Sequence, residues 1–421
     1  MDGPSGQLSD DTIWRLAVLA LAPIILDSLA VCALEDGRIG ILYIGCIARS
    51  RPFWDMRQDP LFTINFVQAT LRSSGAWAPI QQVTEGGQVS RMVRLYMPRT
   101  YSRVTSGFDV IVLSNANRFM VGQGNIEMLA RAVREGGLGL FMSGGWESFG
   151  GHNYPDWGST SIGELLPTVD VVNSWVSHPR GGLNLVIEDG NHEFMKSIPW
   201  EREKAQFMFD LHHNVVTAKD GSEVLARVRA PDLDDPAMVT WELEGRNRVF
   251  ALTSEVHTMA IGPWTYYLDF GANLMVYLDG RPVPQDIDLI HSLRTTMYAV
   301  AIRKSLLMVL LEFCDSFGAD TGRIVMKMDE LDNIAAQAKP LYLQLQFEDT
   351  LAAYRKVEEG LERIEQDAIR LKDRALVWIY MSEWLAVAGA GMVCGFALWS
   401  IMIRRRLYRE VGSTKLGRFG A

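Results

Sequence analysis

Residues 376–403, LVWIYMSEWLAVAGAGMVCGFALWSIMI, form an apolar run with one ionisable side chain, Glu383. A helix of about 20 apolar residues crosses a bilayer, and a soluble core seldom accommodates a longer one. The run is therefore expected to be a single transmembrane helix, with the lipid bilayer as its partner. Trp378, Tyr380 and Trp384 near one end and Trp399 near the other suit the headgroup layers. Arg404, Arg405, Arg406, Arg409, Lys415 and Arg418 follow the run, whereas Arg363, Arg370, Lys372 and Arg374 before it are diluted by acids. The positive-inside rule then puts a short basic tail, 404–421, in the cytoplasm and the bulk of the chain outside a cell membrane.

Export of that bulk needs a signal near the start. Leu16 to Ala33, LAVLALAPIILDSLAVCA, offers an apolar stretch, with Asp2, Asp10 and Asp11 before it and Asp27 inside it. Segment 1–36 reads as a signal peptide, a signal anchor or a helix packed on the following domain. The net charge of −9 and the absence of a basic stripe before residue 400 exclude the electrostatic footprint of a nucleic-acid binder. Cys32, Cys46, Cys314 and Cys394 form no C-x-x-C pair. His152, His192, His212 and His213 show no metal-ligand spacing, so neither a metal nor another cofactor is expected.

Two features suggest helix pairing. Leu351, Tyr354, Val357, Leu361, Ile364, Ala368, Leu371 and Ala375 recur at spacings of three and four, the apolar seam of a heptad repeat. Gly391 and Gly395 form a G-x-x-x-G pair in the span. Segment 282–375 thus reads as a helical stalk that either forms a homodimeric coiled coil or packs on earlier helices of its own chain, with Pro340 breaking or kinking the route between them.

Between residues 37 and 281 the pattern changes to short apolar runs. Ile39 to Ile44, Met92 to Tyr96, Asp109 to Leu113 and Leu138 to Met142 have strand length, and Asn125 to Arg134 has a helical apolar period closed by Gly136 and Gly137. Strand, helix, strand is the crossover unit of a parallel sheet. Val224 to Val228, Ala237 to Trp241 and Val249 to Thr253 read as later additions around a turn at Glu244 and Gly245. The expected fold is α/β, a three-layer sheet domain. Ligands of such sheets gather beyond the carboxyl ends of the strands, here the loops 45–54, 114–124 and 143–157. The last, SGGWESFGGHNYPDW, combines glycines that allow close approach with flat aromatic surfaces, and reads either as a binding loop or as a tight loop packing its own rings.

Several segments together resemble the class I glutamine-amidotransferase-like family, in its branch allied to trehalose-utilisation-type domains. They are ILYIG (41–45), FDVIVLSN (108–115), AVREGGLGLFMSGGWESFGG (132–151), NHEFMKSIPW (191–200), HHNVVTAKDGSEVLARV (212–228) and GRNRVFALTSEVHTM (245–259). The likeness covers roughly residues 38–281 and implies a flavodoxin-like sheet. It also implies a cysteine nucleophile at a sharp strand-to-helix turn, activated by a histidine that a carboxylate orients. That turn is Met142-Ser143-Gly144-Gly145, with no cysteine. The first expectation is a non-catalytic module that binds a small polar ligand or a partner protein through Asn115, Gly144, Gly145, Trp146 and Glu147. The alternative is a tethered hydrolase in which Ser143 is the nucleophile, His257 the base, and Glu255 or Asp269 its orienting acid.

Overall fold

The computed structural model describes residues 37–47, 51–71, 86–152, 156–177, 183–202, 212–244, 247–256 and 264–416. The apolar segment 1–36, Gly245 and His257 lie outside them. The chain divides into two compact units, residues 1–298 with 338–352, and residues 299–337 with 353–421.

In the first unit the chain passes through β1 (Ile39–Gly45), α1 (Arg51–Asp55), β2 (Phe62–Gln68), α2 (Gly86–Tyr96), α3 (Tyr101–Gly107) and β3 (Val110–Ser114). It continues through α4 (Arg118–Val121), α5 (Gln123–Gly136), β4 (Gly139–Ser143), α6 (Ser161–Leu165), β5 (Thr168–Ser177), β6 (Asn184–Ile187) and α7 (Glu193–Lys196). Then come β7 (His212–Ala218), β8 (Glu223–Ala230), β9 (Leu233–Glu242), β10 (Arg248–Leu252) and α8 (Tyr267–Leu278). Among the described residues, eight strands form one mixed sheet in the order β2-β1-β3-β4-β10-β9-β8-β6, and β5 pairs with β7 in a small second sheet. The first five in that order run parallel, and β9, β8 and β6 add antiparallel.

β1, β3 and β4 are buried at every position, as expected of parallel strands covered on both faces. Leu42, Ile44, Ile111, Leu113, Leu140 and Met142 pack with Ile126, Leu129 and Val133 of α5. The alternate residues form an aromatic chain in which Tyr43 meets Phe53 at 5.0 Å, Phe53 meets Phe141 at 6.3 Å, and Phe250 meets Phe141 and Phe194. The crossover through α5 is present, closed by Gly137 at φ 80°.

One strand assignment from the sequence is corrected. Met92 to Tyr96 belongs to α2, whose Val89 and Val93 are buried while Met92, Leu95 and Tyr96 are exposed. The period of four decides the element, and the short apolar run MVRLY conceals it. The strand next to β1 is instead β2, where only Phe62 and Val67 are buried.

Burial pushes the Asp279 carboxyl, just after α8, up to about 7; the nearby Asp109 adds to this and the Arg281 guanidinium at 2.5 Å works against it. The folded protein therefore holds a proton that the unfolded chain, with an ordinary value near 3.8, releases. The stabilisation is complete below about pH 4 and is lost as pH rises towards 7. Thermal unfolding at pH 4, 5.5 and 7 should show wild type losing stability relative to Asp279→Asn by up to a few kcal/mol. Parallel curves would contradict this.

Three further helices follow among the described residues: α9 (Ile287–Ser316), α10 (Gly322–Leu343) and α11 (Phe347–Leu416). α10 runs through Pro340 and ends three residues later, so the proline marks its last turn instead of breaking it. The heptad seam and the apolar run lie on one continuous helix, α11. Within the second unit, Lys304 pairs with Asp332 and Lys327 with Asp367, joining α9 to α10 and α10 to α11. A Cβ on Gly360 would lie 2.5 Å from the Leu331 side chain, so glycine permits the close approach of α11 to α10. Tyr354, Val357, Leu361, Ile364 and Ala368 are buried within the single chain. By contrast, Val377, Trp378, Trp384, Val393, Phe396 and Leu398 are exposed, a pattern compatible with a membrane anchor.

Candidate functional site

Parallel register places Gly45, Ser114, Ser143 and Leu252 on one rung at the carboxyl ends of β1, β3, β4 and β10. Every site residue named from the sequence, apart from Asp269 and the undescribed His257, lies at or just beyond this rung.

Ser143 is fully buried. Its hydroxyl donates to the Ser254 carbonyl at 3.1 Å and accepts from the Val256 N–H at 3.1 Å, tying the end of β4 to the segment after β10. A serine held this way has its proton on a main-chain carbonyl and a lone pair committed to an amide. Glu255 is buried on that same segment. Asp269, in α8, is engaged elsewhere, with His291 Nδ1 at 2.6 Å and Arg294 Nη1 at 3.1 Å. Cys46, just past the rung on β1, is buried and two strands from Ser143, roughly 10 Å at ordinary strand spacing.

The loop after β4 is built from the residues that the sequence reading proposed for binding. The chain must pass between neighbouring main chains here: a Cβ on Gly144 would lie 2.1 Å from the Thr253 carbonyl, and one on Gly145, at φ 146°, would lie 2.6 Å from Asn115 Oδ1. Asn115 itself is left-handed, at φ 48°, a conformation asparagine tolerates. Its Oδ1 accepts from Glu147 N–H at 2.8 Å and its own N–H donates to Ser148 Oγ at 3.0 Å. The Glu147 carboxylate is buried and accepts from the Thr70 hydroxyl, from Leu71 N–H at 2.9 Å and from Asn117 Nδ2 at 2.7 Å. Trp157 closes the loop from beneath, donating from its indole to the Ala116 and Glu147 carbonyls, both at 3.0 Å.

Asn214, on β7, completes the network and was not singled out from the sequence. Its Oδ1 accepts from Gly145 N–H at 2.8 Å, and its Nδ2 donates to the Gly145 and Ser148 carbonyls and to Ser174 Oγ. Thr70 and Asn117 were missed likewise: their partners are 77 and 30 residues away, and no local pattern announces such pairs. Farther along the loop, Arg118 donates to the Asp156 carbonyl and Asp170 accepts from Gly158 N–H at 2.7 Å. Burial, with Asp156 nearby, pushes the Asp170 carboxyl up to about 6 against the pull of Lys219.

Among the described residues of the loop, Trp146, His152 and Asp156 are half-buried, and the Trp146 and His152 rings meet edge-on at 4.9 Å. The other described histidines have separate duties. His213 contacts Asp235 at 2.9 Å, His212 lies against Trp175, and His192 accepts from Phe194 N–H at the start of α7. Among the described residues, no group of three or more His, Cys, Asp or Glu side chains could hold a metal ion.

Residues 106–279 match the family model described as "Putative glutamine amidotransferase", which supports a glutamine-amidotransferase-like domain over this part of the chain. No curated protein matches the chain. Among solved structures it is similar to the crystal structure of Agd3, a novel carbohydrate deacetylase, at 13% identity and a TM-score of 0.34, over 58% of this chain and 32% of that one. The chain thus spans about a third of that protein's length.

Proposed function

We propose that residues 37–281 are an amidotransferase-like module without a nucleophilic thiol, which binds a small polar ligand or a partner protein and is held by α11 at the outer face of a cell membrane. The observation that carries this reading is Ser143. At the strand end where the family's chemistry calls for an attacking group, the side chain is a buried hydroxyl bonded to main chain on both sides. The parallel order β2-β1-β3-β4-β10 supports a flavodoxin-like, three-layer arrangement. The exposed apolar length of α11 supports the anchor, and the arginines that follow it support a cytoplasmic tail. The half-buried Trp146 and His152 rings, set edge-on at the strand ends, support that place as the one where a sugar-like or peptide ligand would pack.

The competing reading is a hydrolase built on Ser143 with His257 and Glu255. It draws support from the segment after β10, which delivers Glu255 to the neighbourhood of Ser143. The two separate in one experiment. The purified full-length protein, offered glutamine and short-chain esters, should release ammonia or acid no faster than a protein-free blank, and Ser143→Ala should behave the same. The substitution should still cost about 1–3 kcal/mol of stability, because the Val256 N–H is left unsatisfied. Turnover abolished by Ser143→Ala would establish the hydrolase. Protease added to intact cells should digest the module, and survival of the module would refute its placement outside.

A further inference from the structure

The heptad seam of α11 is buried within the chain, yet the second unit still exposes an apolar helix face. On α9, Leu307, Leu311 and Cys314 are buried. On the opposite side, Ile302, Leu306, Val309, Phe313 and the adjoining Phe317 follow one another at intervals of four, three, four and four residues. All five are exposed, Leu306 and Val309 by 65% each. A surface helix is ordinarily apolar on one face and polar on the other, and a helix apolar all round belongs where both sides are covered.

We infer that this outer face of α9 is the interface with a second copy of the same chain, resting on the reading of α11 as a membrane anchor. α9 and α10 run antiparallel through the Lys304 and Asp332 pair, and α10 and α11 through the Lys327 and Asp367 pair. Within the second unit α9 therefore runs in the same direction as α11, with Cys314 held near Lys372, a few residues before the apolar run. Two copies anchored in one bilayer present their α9 faces at the same height and in the same direction. That is the condition for a two-fold contact in which each residue meets its own counterpart. If each of the five side chains loses roughly 100 Å², a symmetric pair covers on the order of 1,000 Å², the lower bound for a specific interface. Confinement to a membrane raises the effective concentration further. Gly391 and Gly395 allow the spans below to approach closely.

The test uses the full-length protein in phosphatidylcholine vesicles, with Cys32 and Cys394 replaced by serine and one new cysteine introduced. Val309→Cys should form a disulfide-linked dimer on mild oxidation. Gln366→Cys, on the exposed side of α11, should do so at least tenfold less. Adding Leu306→Glu to Val309→Cys should reduce the crosslink at least tenfold, while the exposed position leaves the fold intact. Three results overturn the inference: a monomeric Val309→Cys that reacts freely with a maleimide, a monomeric one shielded by lipid or another protein, and crosslinking at Gln366→Cys instead. Alkaline carbonate extraction separates the causes. Protein that leaves the vesicles refutes the anchor and the dimer with it, whereas protein that stays but remains monomeric refutes the dimer alone.

Discussion

Replacing Arg294 by methionine should lower the stability of the α/β unit by about 3–5 kcal/mol, the usual consequence of removing one partner from a buried ionic network. Arg294 is 4% exposed, and its Nη1 donates to Asp269 Oδ1 at 3.1 Å and Asn273 Oδ1 at 2.8 Å. Asp59 Oδ2 lies 3.7 Å from its Nε, and Asp59 also accepts from Tyr342 OH and Leu61 N–H, both at 2.9 Å. Burial pushes the Asp59 carboxyl up, and the Arg294 charge is the main influence holding it down. Methionine fills much of the volume but takes the guanidinium away from two buried carboxylates, leaving Asp269 its contact with His291 and Asp59 its bonds from Tyr342 and Leu61. The melting temperature should fall by about 10 °C or more for a unit of this size. Adding Asp269→Asn should recover part of the loss, because one of the two buried carboxylates deprived of the guanidinium is then removed. A melting temperature within 2 °C or so of wild type would show that the network contributes little.

The second large effect concerns Glu147. Were it a ligand contact, Glu147→Gln would weaken binding and leave stability untouched. The hydrogen bonds point the other way. One carboxylate oxygen serves Thr70 and Leu71, the other serves Asn117, and Asn117 cannot turn its amide because its Oδ1 already accepts from Phe119 and Met120 N–H at the start of α4. Glutamine would therefore set its amide NH2 against the Asn117 Nδ2, replacing a charge-assisted bond by two opposed donors. A loss of about 2–3 kcal/mol is expected, with Glu147→Ala at least as severe since three donors are then left without their acceptor. Chemical denaturation of wild type and both variants measures this. A Glu147→Gln variant as stable as wild type would return Glu147 to the list of ligand contacts.

These two cases mark where sequence reasoning stopped. Local pattern revealed whatever a single element's burial writes into its own residues. Runs such as IGILYI and LGLFM are apolar throughout because strands covered on both faces need no polar side, and the 28-residue apolar run before the arginines is legible because both its length and its apolarity are properties of contiguous residues. The loop SGGWESFGG stood out because close main-chain approach leaves room for glycine only. The role of its residues was a different matter. Asn115, Gly144, Gly145 and Glu147 lie together in the structure, but whether Glu147 faces a ligand or the protein depends on Thr70 and Asn117, and whether Ser143 can attack depends on Ser254 and Val256, more than 100 residues away. The same limit explains α2, where MVRLY has the composition of a strand and only its packing reveals a helix.

The sequence by itself determined the α/β character of the domain, its amidotransferase-like order of motifs, the lack of a cysteine after β4, and the long apolar helix, because each is a property of contiguous residues. Only the tertiary structure decided which polar side chains satisfy one another, that β2 and not MVRLY flanks β1, and that the heptad seam is covered by its own chain while the opposite face of α9 is left open. Those outcomes depend on which distant groups meet, and hydrogen bonding and apolar burial are settled by that meeting, not by neighbours along the chain.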